Sequence, residues 1–206
     1  MLPLPKYGLY AITAQRYPDL QTLAADIQSA TAGGAAVIQF RDKSTDAVWR
    51  LEAARTALSL CRAAGVPLII NDDLDLARAV GADGLHLGRA DGDIKAMRAA
   101  AGPGLLLGVS CYNQLERAAA AVAAGADYLA FGSMYPSGTK PGAVHCGAEV
   151  LSQARNMGRP VVAIGGITPE NGGPLIEAGA DFLAVIEAVF GAPDVRQAAE
   201  RFAALW

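Results

Sequence analysis

Short apolar runs alternate along the chain with longer stretches rich in alanine and leucine, and turns of Gly, Asp and other polar residues separate them. Eight such runs occupy residues 8–13, 36–41, 67–71, 84–87, 105–110, 128–132, 160–165 and 182–187. Runs that are apolar almost throughout read as strands buried on both faces. The stretches that follow them, 19–31, 45–64, 74–80, 93–101, 113–123, 148–156, 169–177 and 193–204, carry apolar residues at helical spacing. Strict strand–helix alternation demands parallel strands joined by right-handed crossovers. Eight such units can close on themselves. The pattern therefore predicts an α/β protein, a single (β/α)8 TIM barrel spanning residues 1–206, near the lower size limit of ~200 residues. An open doubly wound sheet is the competing architecture, and eight strands favour closure.

A five-residue pattern recurs as Gly81-Ala82-Asp83-Gly84-Leu85, Gly125-Ala126-Asp127-Tyr128-Leu129 and Gly179-Ala180-Asp181-Phe182-Leu183. Each copy precedes a strand. Glycine suits the left-handed turn that ends a helix, and aspartate can bond backbone amides in the turn. These aspartates are read as stop signals on the bottom face of the barrel, without a catalytic role.

Composition narrows the function. Hydrophobic residues make up 52% and charged residues 18%, enough to bury a core and too apolar for wholesale disorder. Lys and Arg total 17 against 20 Asp and Glu, with no basic block, which argues against nucleic acid and membrane surfaces as partners. No apolar run approaches the ~18 residues of a membrane span. The opening MLPLPKYGLY lacks the basic-then-apolar order of a signal peptide. Three cysteines without a CxxC pair suit a reducing cytoplasm better than a disulfide framework or zinc site. Two histidines are too few for a histidine metal cluster, so any metal would be a hard cation held by oxygen.

In such a barrel the chemistry gathers where strands end and loops begin. Strand two ends Gln39-Phe40-Arg41-Asp42-Lys43. Alternation points Gln39, Arg41 and Lys43 one way and Ile38 and Phe40 towards the helices. An amide and two cations aimed into a barrel mouth suit a phosphate or diphosphate cradle. Strand three ends Asn71-Asp72-Asp73, and Asp91 and Asp93 follow strand four. Asp73 and Asp93 are read as helix caps, Asp72 and Asp91 as a Mg²⁺ pair beside that cradle. Ser110 ends strand five and can bond a phosphate, an amine or a helix end. Cys111 has no base nearby to activate it. After strand six, Ser137, Thr139 and Lys140 lie in a Gly- and Pro-rich loop suited to closing over an anion. Gly165 and Gly166 end strand seven, where backbone amides can approach a phosphate. His86 is read as a hydrogen-bonded structural histidine and His145 as loop surface. The mouth thus offers two anion sites, and no Ser-His-Asp triad or glycosidase-type carboxylate pair. Two phosphorylated substrates, one with a diphosphate leaving group, would explain the layout.

In this order and spacing, the blocks Leu9-Tyr10-Ala11-Ile12-Thr13, Gln39-Phe40-Arg41-Asp42-Lys43, Asn71-Asp72-Asp73, Leu85-His86-Leu87-Gly88 with Asp91, Gly108-Val109-Ser110, Pro136-Ser137-Gly138-Thr139-Lys140-Pro141 and Ala163-Ile164-Gly165-Gly166-Ile167 resemble thiamine phosphate synthases along nearly the whole chain. The resemblance implies coupling of 4-amino-2-methyl-5-hydroxymethylpyrimidine diphosphate to a thiazole phosphate, with pyrophosphate released. It implies that Gln39, Arg41, Lys43, Asn71 and Ser110 hold the pyrimidine diphosphate and that Asp72 and Asp91 bind Mg²⁺. Ser137, Thr139, Gly166 and the backbone around Ile186 and Glu187 are then expected to hold the thiazole phosphate. Arg41, Lys43 and Lys140 would face the departing diphosphate. The chain departs from the family's usual Gln at Arg89, Thr at Ser137 and Ser at Glu187. A Glu187 carboxylate turned inward would repel the thiazole phosphate; turned away, it would leave the amides free. A thiazole tautomerase and a non-catalytic phosphate-ligand-binding paralogue are the competing readings, and the intact cradle and Asp72 block favour the synthase. The sequence leaves a homo-oligomer open.

Overall fold

The computed structural model describes residues 1–89, 91–136 and 145–206. Eight parallel strands close into a barrel in sequence order, β1 to β8, with β8 pairing back onto β1. They are β1 Gly8–Ile12, β2 Ala35–Phe40, β3 Leu68–Asn71, β4 Gly84–Leu87, β5 Leu106–Tyr112, β6 Tyr128–Phe131, β7 Val161–Ile164 and β8 Phe182–Val185. The helices are α1 Leu20–Ala32, α2 Ala47–Ala64, α3 Leu74–Val80, α4 Ile94–Ala101, α5 Leu115–Ala123, α6 Glu149–Arg155, α7 Gly173–Glu177, α8 Glu187–Phe190 and α9 Val195–Ala203. Among the described residues, no helix is long and apolar enough to cross a membrane.

Alternation along the strands builds two apolar layers. Leu9, Ile38, Phe40, Ile70, Leu85, Val109 and Leu129 face outward and pack with the helices. Tyr10, Val37, Ile69, Tyr128, Val162 and Phe182 fill the barrel interior. Asp19, Asp46, Asp73, Asp93 and Asp194 start five of the helices, each accepting a hydrogen bond from the backbone amide three residues on. Asp73 and Asp93 thus do the capping expected of them.

The recurring aspartates sit at the bottom of the barrel, but they bond across strands rather than within their turns. Asp83 Oδ2 accepts from Leu68 N at 2.9 Å while Asp83 N donates to Leu68 O at 3.0 Å. Asp127 pairs in the same two-way fashion with Leu107, and Asp181 with Val161. Each aspartate therefore fixes the register of its own strand against the one before it.

Two expectations about the chain's last quarter change. The run 182–187 is strand only to Val185; Ile186 breaks it and a one-turn helix, α8, starts at Glu187. An apolar run does not register a turn that keeps its side chains apolar. The helix expected over 169–177 begins only at Gly173. Ahead of it, Asn171 Oδ1 accepts from Thr168 N and Asn171 Nδ2 donates to Gly166 O, holding those residues in a turn.

Candidate active site

Strand alternation places Gln39 and Arg41 on the interior side of β2 and its exit, opposite the outward Ile38 and Phe40. Gln39 is 3% exposed and Arg41 is half-buried. Thr13 holds the Arg41 backbone: its Oγ1 accepts from Arg41 N at 2.8 Å. Burial pulls the Arg41 guanidinium below its ordinary pKa, and the Asp72 charge works the other way. Arg41 Nη1 is buried without a hydrogen-bond partner among the described residues, and so are Ser44 Oγ and Arg50 Nε. Ser44 and Arg50 line a cleft of about 580 Å³ with Lys43, Asn71 and Asp72. Buried donors without acceptors are costly, and an anion in the cleft would offer acceptors to Ser44 and Arg50.

Lys43 Nζ pairs with Asp72 Oδ2 at 2.7 Å, the lysine open to solvent and the carboxylate partly buried. Asp72 sits at φ 64°, a left-handed conformation that aspartate tolerates better than most residues and that turns its carboxylate at the strand exit. Asp91 Oδ2 accepts from Gly88 N at 2.5 Å. The Asp72 and Asp91 carboxyls lie close enough for each to shift the other's titration. Burial pushes Asp91 above the ordinary carboxylate value, with the facing Asp72 adding to the push. Burial works the same way on Asp72, but hydrogen bonds with Lys43, Asp91 and Asn71 hold it below its ordinary value. Two carboxyls this close favour sharing a proton or a cation.

A Cβ on Gly88 would stand 3.0 Å from Asp91 Oδ2 and 4.0 Å from Asp72 Oδ1. The two carboxylates therefore converge where the chain carries no side chain. Among the described residues no third acidic, His or Cys ligand joins them. Two hard oxygen donors of this kind suit a divalent cation that keeps waters and takes further oxygens from a bound phosphate.

Ser110, at the end of β5, bonds His86: its Oγ lies 2.9 Å from His86 Nε2. Arg117 of α5 ties the tops of β4 and β5 together, donating to Ser110 O at 2.8 Å and Gly88 O at 2.9 Å. The Arg89 guanidinium lies 4.4 Å from the centre of the Tyr112 ring, a cation–π contact.

Gly165 and Gly166 adopt positive φ, 106° and 63°. A Cβ on Gly166 would come within 2.4 Å of Pro136 O. Glycine is needed there because the strand-six loop passes directly over it, a reason that holds with or without a phosphate. Glu187 is exposed, and its Oε2 lies 2.6 Å from where a Gly191 Cβ would be. Its carboxylate therefore folds towards the C-terminal end of α8, away from the turn at Ile186 that starts the helix. Ser137, Thr139 and Lys140 lie outside the described residues.

The structure thus brings Lys43, Asn71, Asp72 and Asp91 together, sets Arg41 within reach of the Asp72 charge, and links Gln39 to Ser110 through other side chains. The link runs through Tyr10, Tyr128 and His86, of which only His86 was read from the sequence; Ser44, Arg50 and Arg117 were missed as well. Both tyrosines stand at inward positions of their strands, which alternation could have flagged.

A closed parallel barrel with cationic side chains and paired carboxylates at the strand tops has the build of a barrel enzyme acting on small molecules. The profile of the thiamine monophosphate synthase family matches residues 9–189. A thiamine-phosphate synthase of Thiobacillus denitrificans is 54% identical over 193 residues, covering 93% of this chain and 91% of its own. One from Aromatoleum aromaticum is 53% identical over 188 residues, 91% of this chain and 90% of its own. The solved thiamine phosphate pyrophosphorylase from Pyrococcus furiosus superposes with a TM-score of 0.87 at 38% identity, covering 97% of this chain and 95% of that one. The chain belongs to the thiamine monophosphate synthase family, and it is a transferase.

Proposed function

We propose that the chain joins 4-amino-2-methyl-5-hydroxymethylpyrimidine diphosphate to a thiazole phosphate, releasing thiamine phosphate and pyrophosphate, with Mg²⁺ held by Asp72 and Asp91. The observation that carries this reading is the cleft in which the unpartnered donors Ser44 Oγ and Arg50 Nε share the lining with Lys43 and with Asp72, whose carboxylate converges with that of Asp91. A diphosphate with its cation satisfies both groups together.

Gln39, Asn71 and Ser110 orient the pyrimidine. Arg41 and Lys43 take the diphosphate, and Lys43 exchanges its Asp72 partner for phosphate oxygens. Mg²⁺, when bound, adds positive charge where the leaving diphosphate gathers negative charge. The bond between the methylene carbon and the diphosphate oxygen breaks, helped by electron donation from the ring amine. The thiazole nitrogen then gives its lone pair to that carbon. No proton is removed to create the nucleophile, so no catalytic base is required. Arg41, Lys43 and Lys140 stabilise the departing charge. Ser137, Thr139, the Gly166 amide and the amides at Ile186 and Glu187 hold the thiazole phosphate, and the outward Glu187 carboxylate does not oppose it. Holding both substrates in line supplies much of the acceleration. The three buried thiols fit a reducing cytoplasm as the setting.

The test is a coupling assay with both substrates, with and without Mg²⁺. Mg²⁺-dependent formation of thiamine phosphate and pyrophosphate in equal amounts is expected. Tight binding of the pyrimidine diphosphate with neither product would overturn the reading in favour of a non-catalytic binder.

A further inference from the structure

A chain of hydrogen bonds crosses the barrel interior from β2 to β5. Gln39 Nε2 donates to the Tyr10 hydroxyl at 2.8 Å. The Tyr10 and Tyr128 hydroxyls are 2.8 Å apart. The Tyr128 hydroxyl lies 3.1 Å from His86 Nδ1, and His86 Nε2 lies 2.9 Å from Ser110 Oγ. Tyr10 and Tyr128 are fully buried, Gln39 and His86 nearly so, and only Ser110 is half-open. The chain has room because β5 carries glycine where it passes. A Cβ on Gly108 would stand 2.0 Å from the Tyr128 ring.

Counting protons gives the chain a direction. Burial pushes both phenols above their ordinary pKa, so each keeps its single proton. Tyr10 accepts from Gln39, so its own proton goes to Tyr128. Tyr128, already an acceptor, gives its proton to His86 Nδ1. That nitrogen must then be bare, which puts the ring proton on Nε2, where it is donated to Ser110. The Ser110 proton is left over for the mouth, and so is the Gln39 carbonyl oxygen. The opposite direction is self-consistent only if the Gln39 amide turns over. Gln39 then offers its NH₂ and Ser110 its lone pairs. With a neutral ring, any mixture leaves one of the four contacts with two protons or with none.

Gln39 and Ser110 are therefore not independent. We propose that Tyr10, Tyr128 and His86 are positioning residues that lock Gln39 as an acceptor and Ser110 as a donor, so that the mouth selects a heterocycle carrying an amine beside a bare ring nitrogen. The proposal rests on the pyrimidine reading above. An oxo-pyrimidine presents the reverse pattern, a carbonyl beside a ring N–H. To bind it equally well, the whole chain would have to reverse. A site built to pair a polar group rejects an analogue that leaves its own groups unpaired.

Two measurements test this. The chain has two histidines, so ¹⁵N-histidine NMR of the full-length protein, with His145→Asn for assignment, reads the His86 ring directly. The expected ring is neutral, with its proton on Nε2. In Tyr128→Phe, where Nδ1 loses its donor, the fixed tautomer gives way to a mixture. A proton on Nδ1, a doubly protonated ring at neutral pH, or an unchanged spectrum in Tyr128→Phe overturns the chain. The second measurement is calorimetric binding of the amino- and oxo-pyrimidine methyl monophosphates. The wild type should favour the amino form by about a hundredfold. Tyr128→Phe and Tyr10→Phe each remove only a hydroxyl, and each should cut that preference to about tenfold or less while leaving thiazole phosphate binding unchanged. An unchanged preference overturns the positioning role. If the wild type binds neither pyrimidine, the proposed function falls and the selection with it; a His86 proton on the wrong nitrogen overturns the chain alone.

Discussion

Asp72 and Asp83 lie at the two ends of one connection, the first leaving β3 at the top of the barrel and the second leading into β4 at the bottom, and the two ends use the same side chain in opposite ways. At the bottom, Asp83 is 1% exposed and both its oxygens accept backbone protons, from Leu68 N and Leu2 N. Asp127 and Asp181 repeat the pairing, each with the strand before its own. Asp83 is thus fully employed by the fold, and in all three one carboxylate oxygen is committed to a backbone amide. At the top, Asp72 is held in a left-handed turn, faces Asp91, and leans on a mobile-chained lysine that a diphosphate can take from it. A buried carboxylate with both oxygens on backbone amides stabilises; a carboxylate that faces another carboxylate is poised to bind a cation.

The comparison can be broken first at the top. Asp72→Asn keeps a residue that tolerates the left-handed turn while removing the charge, so turnover should fall roughly a thousandfold with little change in thermal midpoint. Kinetics across a Mg²⁺ titration, paired with calorimetry, checks both halves; a wild-type Mg²⁺ response would remove Asp72 from the site. The bottom should give the mirror result. Asp83→Ala strands two backbone donors, one of them deep in the barrel wall, and should cost about 3 kcal/mol in urea melts while leaving the activity per folded molecule unchanged. Between the two ends, Gly108→Ala forces a methyl into the Tyr128 ring. A loss of about 2 kcal/mol is expected, together with weakened choice between amino- and oxo-pyrimidines. The smallest effect is a silence. Burial pushes Cys61 and Cys111 to about 12 and Cys146 to about 11, so at pH 8 each remains a thiol. Ellman's reagent should find no reactive cysteine in the native protein and all three after unfolding.

The strand positions were legible because a strand covered on both faces must be apolar almost throughout, and β4 falls at residues 84–87 as read. The caps at Asp73 and Asp93 were legible for a local reason, since a cap bonds an amide only three residues away. The end of β8 was not. Val185, Ile186 and the residues after them stay largely apolar through a turn into α8, and hydropathy has no sign for a change of backbone direction. The recurring Gly-Ala-Asp pattern was visible as a repeat, but its bonding partner is a strand some twenty residues back, so only the closed sheet reveals it.

The site divides along the same line. Sequence alone determined the barrel, and it marked the strand tops and the charged candidates Arg41, Lys43, Asp72 and Asp91, because strand period and residue chemistry are local properties. Tertiary structure decided which of these meet. It turned the Glu187 carboxylate back over α8, placed Arg89 on Tyr112, and strung Gln39, Tyr10, Tyr128, His86 and Ser110 into one chain from five strands. Closing the barrel brings side chains more than a hundred residues apart within hydrogen-bonding distance, as with Tyr10 and Tyr128, and no local pattern encodes that meeting.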